Sequence, residues 1–417
     1  MSPDAERSST DTTRRQLLAA GGTALATSLA VSTAGCVSGL PPLGDGQRYG
    51  RLSVPSASDP TYRKCLPAPS AVEQAVEDYH FVTMNSTEPR PGAPEKFVAG
   101  RAHLKASLDY FGIGFANYDR LVSGNFGTVI EATFPRPKVV QTIENSGYEN
   151  TDAYRGYTTF ARSDVPRRVA VGDDVVVWTS AYHHESPNLE ALVDARTGSR
   201  ARYHEETPEF NALTTAAGGN PYLGVNTEIQ DPTGRPVMMA DAFRFDDDIA
   251  YQVVQYYYRQ ADRVPTRDAL ERALKDHDYR FIDGAEAFDV ELDDRLATVE
   301  TRVPVTGASE TPSEYVLPQV TWGASYDADN ERVTLKHHAG ESVPAERLFY
   351  DIDRPSAPGK IDKRPLWSGT ETVESGMEAT IDLSDDPGAT GASLVYSAED
   401  VAFHSLFGFQ FRGAVDD

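Results

Sequence analysis

The side chains of this chain that could do chemistry are few and scattered. His183-His184-Glu185 sets two imidazoles beside a carboxylate, donor types that suit a divalent metal. Adjacent residues on an extended chain point to opposite faces. The His-Glu-x-x-His pattern that puts two imidazoles on one helix face is absent. Adjacent members of the run therefore rarely share one metal, and His183 and Glu185 stand as weak metal candidates. Asp327-x-Asp329-Asn330 comes nearest to a calcium loop but lacks the Asp-x-Asp-x-Asp-Gly spacing. The pairs Asp173-Asp174, Asp247-Asp248, Asp293-Asp294 and Asp385-Asp386 lie between apolar runs, where aspartate serves as a turn former. His337-His338 ends a strand, so one ring should face in and the other out. His204-Glu205-Glu206 reads as a solvated face, and Tyr251 with Tyr256-Tyr257-Tyr258 as aromatics buried between a sheet and a helix. Cys65 is followed by His80 and Met84 at a spacing too wide for a blue-copper loop. Gly-x-Ser-x-Gly, a phosphate loop, a dinucleotide fingerprint and Cys-x-x-Cys are missing. No catalytic residue is assigned, and no cofactor or metal is expected.

The strongest signal sits at the start. Arg14-Arg15 precede an uncharged segment from Gln16 to Leu43 that is rich in Ala, Gly, Ser and Thr. It closes on Thr33-Ala34-Gly35-Cys36, small residues leading into a cysteine. This pattern looks like a twin-arginine export signal with a lipoprotein cleavage box. Its aliphatics, Leu17, Leu18, Leu25, Leu29 and Val31, are too sparse for a stable membrane helix of about 20 apolar residues. Residues 1–35 are thus expected to be removed and Cys36 to carry a lipid; the alternative is a leader that stays uncleaved as the membrane anchor. Asn85-Ser86-Thr87 is a possible glycosylation acceptor in a Pro-rich loop.

Composition points to the solvent. Asp plus Glu number 63 against 39 Lys plus Arg, a net charge of -24, and only 8 of the basic residues are Lys. Asp4, Glu6 and Asp11 balance Arg7, Arg14 and Arg15, so the charge belongs to the body. Such a surface stays hydrated in brine, where the Debye length is about 3 Å or less. The same charge disfavours nucleic acid as a partner.

The elements that must position these residues fall into zones. Residues 36–60 are rich in Gly, Pro and Ser and read as a flexible tether. Residues 61–305 mix strands and helices. A strand at Thr128–Phe134 leads to a helix after Pro137 with Val139, Val140 and Ile143 on one face. Asn188 caps a second helix that Gly198 closes. A third begins at Thr266, with Leu270 and Leu274 on one stripe. Strand, helix, strand, strand recurs, which predicts two ferredoxin-like units, near 61–205 and 206–305. Residues 306–417 are nearly all strand and turn, predicting an immunoglobulin-like sandwich. The fold class is α+β with an all-β end.

Two resemblances accompany these residues. Ser146-Gly147-Tyr148, Tyr154-Arg155-Gly156-Tyr157, Arg168-Val169-Ala170-Val171-Gly172-Asp173 and Leu192-Val193-Asp194-Ala195-Arg196-Thr197-Gly198 resemble uncharacterised haloarchaeal secreted lipoproteins. The run from Val333-Thr334-Leu335-Lys336-His337-His338 through Trp367 and Gly376 resembles the β-sandwich of haloarchaeal type IV pilins, without the pilin N-terminal helix. The resemblance implies a cell-surface protein on the outer face of a membrane. Its expected partners are the membrane through Cys36, the export machinery through Arg14 and Arg15, and envelope or pilus proteins. Binding or assembly is the expected work. The alternatives are an exported hydrolase built near His183, His184 and Glu185, and a solute-binding component of a transporter.

Overall fold

The computed structural model describes residues 52–72, 78–85, 87, 90, 92–228, 236–246, 249–275, 281–282, 284–305, 312–354, 363–398 and 402–411. The leader with Arg14, Arg15 and Cys36, and the acidic pair Asp247-Asp248, lie outside the described residues.

A single antiparallel sheet carries every strand up to Val303. In chain order these are β1 (Asp78–Asn85), β2 (Arg120–Gly124), β3 (Gly127–Glu131), β4 (Glu149–Tyr154), β5 (Tyr157–Ala161), β6 (Arg167–Val171), β7 (Val175–Ser180), β8 (Tyr222–Glu228), β9 (Met238–Asp246), β10 (Ile249–Tyr257), β11 (Glu286–Asp293) and β12 (Leu296–Val303). Their order across the 12-stranded sheet is β11-β12-β10-β9-β8-β1-β2-β3-β7-β6-β5-β4. β1 and β8 join the halves in a continuous register from Asp78↔Glu228 to Met84↔Tyr222.

This differs from the two ferredoxin-like units expected from element order. A split βαβ unit sets two parallel strands side by side, whereas each strand pairing among the described residues is antiparallel. The helices also cover both faces. α1 (Glu95–Ser107) and α2 (Arg136–Glu144) lie on one face; α3 (Leu189–Thr197) and α5 (Pro208–Ala217), which follows the single turn α4 (Tyr203–Glu206), lie on the other. β7 shows why. Val175 and Val177 meet Leu192 and Val193 of α3, while Val176 and Trp178 meet Val139 and Ile143 of α2. A strand buried on both faces reads as a continuous apolar run, and each fully buried aliphatic contributes about 1.5–3 kcal/mol. Helix α6 (Arg267–Lys275) packs Leu270 and Leu274 on Val254, Tyr256 and Val299.

Local signals hold where they are strong. The Asn188 side chain accepts from Ala191 N–H at 2.9 Å, and Gly198 ends α3 at φ 72°. β6 and β7 turn at Gly172-Asp173-Asp174, and β11 and β12 turn at Asp293-Asp294.

The remaining strands are β13 (Val320–Asp327), β14 (Arg332–Gly340), β15 (Val343–Pro344), β16 (Leu348–Asp353), β17 (Arg364–Pro365), β18 (Thr372–Val373), β19 (Glu378–Asp382), β20 (Gly391–Ala398) and β21 (Ala402–Gln410). Sheets β13-β14-β19 and β17-β16-β20-β21 face each other across Trp322, Leu335, Ile381, Leu394 and Phe407, a β-sandwich. Ala102 and Ala106 of α1 enter this core, so one helix serves both the large sheet and the sandwich.

The tether expectation for 36–60 needs correction at its end. Val54 packs on the main core, Arg244 donates to Pro55 O at 3.1 Å, and Ser58 pairs with Gly219 through two backbone bonds of 3.0 and 2.7 Å. Satisfied backbone groups fix a Ser- and Pro-rich stretch as firmly as a strand. Among the described residues no helix is long and apolar enough to cross a membrane.

Candidate functional site

Metal-type donors gather in a corner formed where β1 begins, in the middle of the large sheet, beside the β2–β3 turn. Asp78 and His80 begin β1 and share the face opposite Tyr79 and Phe81, which are buried in the core. Glu185 reaches the same corner from the loop after β7. The ligand atoms of Asp78, His80 and Glu185 lie within 4.8 Å of one another. Asp78 and His80 are half-buried and Glu185 is exposed.

Asn125 holds the corner together. It sits in the β2–β3 turn and is only 1% exposed. Its amide oxygen accepts from His80 N–H at 2.7 Å, and its NH2 donates to Asp78 O at 3.3 Å and to the Glu185 carboxylate at 2.7 Å. The turn lies directly on β1. A Cβ at Gly124 would come within 2.6 Å of His80 O, so only glycine fits there.

The loop carrying Glu185 is shaped by its histidines. The Ser180 N–H donates to His184 Nδ1 at 3.1 Å, and the N–H groups of His183 and His184 return to Ser180 O at 3.1 and 2.9 Å. Ser186 N–H and Asn188 N–H then bond to the carbonyls of Asn125 and Phe126. His184 is buried, which pushes its pKa down to about 3. The His183 ring lies 5.5 Å from Trp178; burial, then Arg167, hold it well below the usual imidazole range. The chain turns here, so these neighbours are not on an extended strand. Of the three consecutive residues, only Glu185 joins the donor group, and sequence reasoning missed Asp78 and His80. The signal available was Asp78-x-His80, whose period of two places both on one face of a strand.

A second polar cluster fills the seam between the sheet and the sandwich. Asp109 is 1% exposed; it pairs with Arg167 and accepts from the Tyr148 hydroxyl at 2.6 Å. The buried Arg162 bonds Asp164 at 2.6 Å and the Trp322 carbonyl at 2.7 Å. Asp164 in turn accepts from Ala324 N–H at 3.1 Å, and Gln319 donates to Asp109 O at 3.0 Å. Burial works against charge on Arg162, but Asp109 and Asp164 outweigh it and hold the guanidinium pKa up. Burial likewise opposes the Asp164 charge, and the bond to Arg162 holds that carboxyl below its usual range. His338 lies in this seam, its pKa driven to about 4 by burial and then by Arg162. His103 of α1 and His404 of β21 meet across the seam at 3.2 Å.

The other sequence candidates have structural employment. Both Asp327 oxygens bond within their own turn, to the N–H groups of Asp329 and Asn330 at 3.1 Å and to the Asn330 side chain at 2.7 Å. Asp329 sits in that turn and joins no group of metal-type donors among the described residues. His337 turns into the sandwich core against Trp322, so one ring of the pair faces in and His338 faces the seam. Glu205 accepts from Arg202 N–H at 3.0 Å and opens the α4 turn. Tyr251, Tyr256, Tyr257 and Tyr258 are all buried. Cys65 is buried and free, its thiol pushed up to about 11 by burial and Glu131. Asn85 ends β1 rather than lying in a loop; its oxygen accepts from Arg120 at 2.9 Å, and the Thr87 hydroxyl is buried against Tyr118 O at 3.1 Å.

No protein-family model and no curated protein matches the chain. Solved structures of TP0453 are similar over part of it. Crystal form I has a TM-score of 0.34 at 8% identity, covering 57% of this chain and 93% of that one. Crystal form III gives 0.33 at 9% identity, covering 57% and 94%.

Proposed function

We propose that this is an exported, lipid-anchored protein of the outer cell surface, and that its work is binding or envelope assembly rather than catalysis. The address rests on Arg14-Arg15 and Cys36, and the brine habitat on the net charge of -24. The observation that carries the non-enzymatic reading is the employment of histidine. Seven of the nine imidazoles, at 103, 183, 184, 204, 337, 338 and 404, have pKa values depressed with burial as the first cause. A general base works best with a pKa near the operating pH. The hydrolase alternative at His183, His184 and Glu185 draws no support from rings committed to the fold. In this reading the sandwich is the contact module, immunoglobulin-like and similar to that of pilins, and envelope or pilus proteins are its partners.

The test is made in the native host. Arg14-Arg15 changed to Lys-Lys should leave precursor in the cytoplasm, and Cys36→Ser should release the protein from membranes. Normal export of the first variant, or membrane retention of the second, defeats the address. Purification from native envelope at high salt, with mass spectrometry of what accompanies the chain, should return surface proteins. Turnover of ester, peptide or glycoside substrates by the pure protein would reverse the non-enzymatic reading.

A further inference from the structure

We infer that Asp78, His80 and Glu185 form a binding site for one divalent transition-metal ion. This site depends on neither the leader nor the binding role. Two carboxylates and one imidazole are a borderline donor set, which favours zinc, cobalt or manganese over the all-oxygen preference of calcium and magnesium. Metal–ligand distances of about 2.0–2.2 Å place neighbouring donors roughly 3–3.5 Å apart. The three donor atoms already lie within 4.8 Å of one another, and the exposed Glu185 side chain has the freedom to close the difference.

The surroundings resemble a prepared centre more than a chance meeting of surface acids. Asn125 is buried; it holds the backbone of Asp78 and His80, through Asp78 O and His80 N–H, and bonds one oxygen of the Glu185 carboxylate. Such outer partners orient ligands and raise affinity. The bond from Asn125 uses one Glu185 oxygen, and a carboxylate keeps further lone pairs for an ion. Among the described residues no Lys or Arg forms an ion pair with Asp78 or Glu185, so local negative charge is uncompensated. With three protein donors, a bound ion retains open positions for water or a ligand.

The experiment uses the full exported protein in detergent and molar salt, which screens diffuse binding to its acidic surface. Chelator-stripped protein is titrated with cobalt, zinc, manganese and calcium chlorides. The expected result is one cobalt or zinc ion per chain, with visible cobalt d–d bands and calcium weaker. His80→Ala should abolish those bands, and Glu185→Gln should lower affinity at least ~10-fold, as expected for a lost ligand. Asn125 is a positioning residue: Asn125→Ala should weaken cobalt by ~10–100-fold while its bands persist at saturating metal. Glu185→Gln keeps an acceptor for Asn125 on an exposed residue, so it tests the site even if His80→Ala folds poorly. Absence of a stoichiometric ion, equal binding by Glu185→Gln, or calcium preference unchanged by His80→Ala would each overturn the assignment.

Discussion

The corner at Asp78, His80 and Glu185 and the seam around Asp109 use the same residue types to opposite ends. In the seam, Arg162 and Arg167 face Asp109 and Asp164, so opposite charges balance where Asp109 and both guanidinium groups are buried and only Asp164 is partly exposed. At the corner two carboxylates meet one imidazole and remain partly wet. Burying charge is tolerable when it is paired and bonded; leaving it unpaired is tolerable where water reaches. The balanced cluster holds two bodies together, and the unbalanced one has capacity for a cation. Residue type alone therefore does not separate structure from ligand binding. Compensation and solvent do.

Breaking the seam should have the largest effect. Asp109→Ala leaves two buried guanidinium groups short of a partner, and removing one member of a buried pair costs about 3–5 kcal/mol. Denaturant unfolding in high salt should report that loss. Gly323→Ala comes next. A methyl there meets the His338 ring and approaches Arg162, and overpacking costs about 1–3 kcal/mol. His338→Ala on the same chain should restore part of it, a coupling that a double-mutant cycle reads.

Acid should loosen the seam by a smaller amount. His338 and His404 titrate at about 4 in the fold, against about 6.5 in an unfolded chain. The unfolded state therefore binds more protons between these limits, and stability falls as pH drops from about 6.5 to 4. The melting temperature should fall by about 2–4 °C for each kcal/mol lost, and less in His404→Gln. The corner should show the smallest effect. Without metal, Glu185→Gln should change stability by within about 0.5 kcal/mol; at equal zinc the unmodified protein should gain more thermal stability than the variant. A large loss in metal-free Glu185→Gln would erase the contrast between the two regions.

What could be read from the chain was local. Asn188 and Gly198 marked α3, and the Asp pairs at 173–174 and 293–294 marked hairpin turns, because caps and turns depend on residues a few positions apart. The pairing of β1 with β8, and of β3 with β7, was hidden. Element order repeats without specifying which edges meet, and packing on both faces made that choice. The candidate corner was half visible. Glu185 drew notice beside two histidines, but its partners Asp78 and His80 lie on a strand three positions across the sheet from β7. Asp109, Arg162 and Arg167 gave no signal either, since a charge destined for burial looks like any other in a chain this acidic.

The clamp at Ser58 sets a mechanical limit. If Cys36 is fastened to lipid, only the sixteen residues 36–51 separate that anchor from the described body, a leash of about 55 Å at full stretch. Tension on that leash enters beside Val54 and Ser58, and the two backbone bonds to Gly219 pass it into the loop before β8. β8 is the strand that zips the two halves of the sheet together. A pull transmitted through Val54 and Ser58 would be delivered near the middle of the large sheet, next to the strand that unites both halves, rather than to a free sheet edge from which strands could be peeled singly.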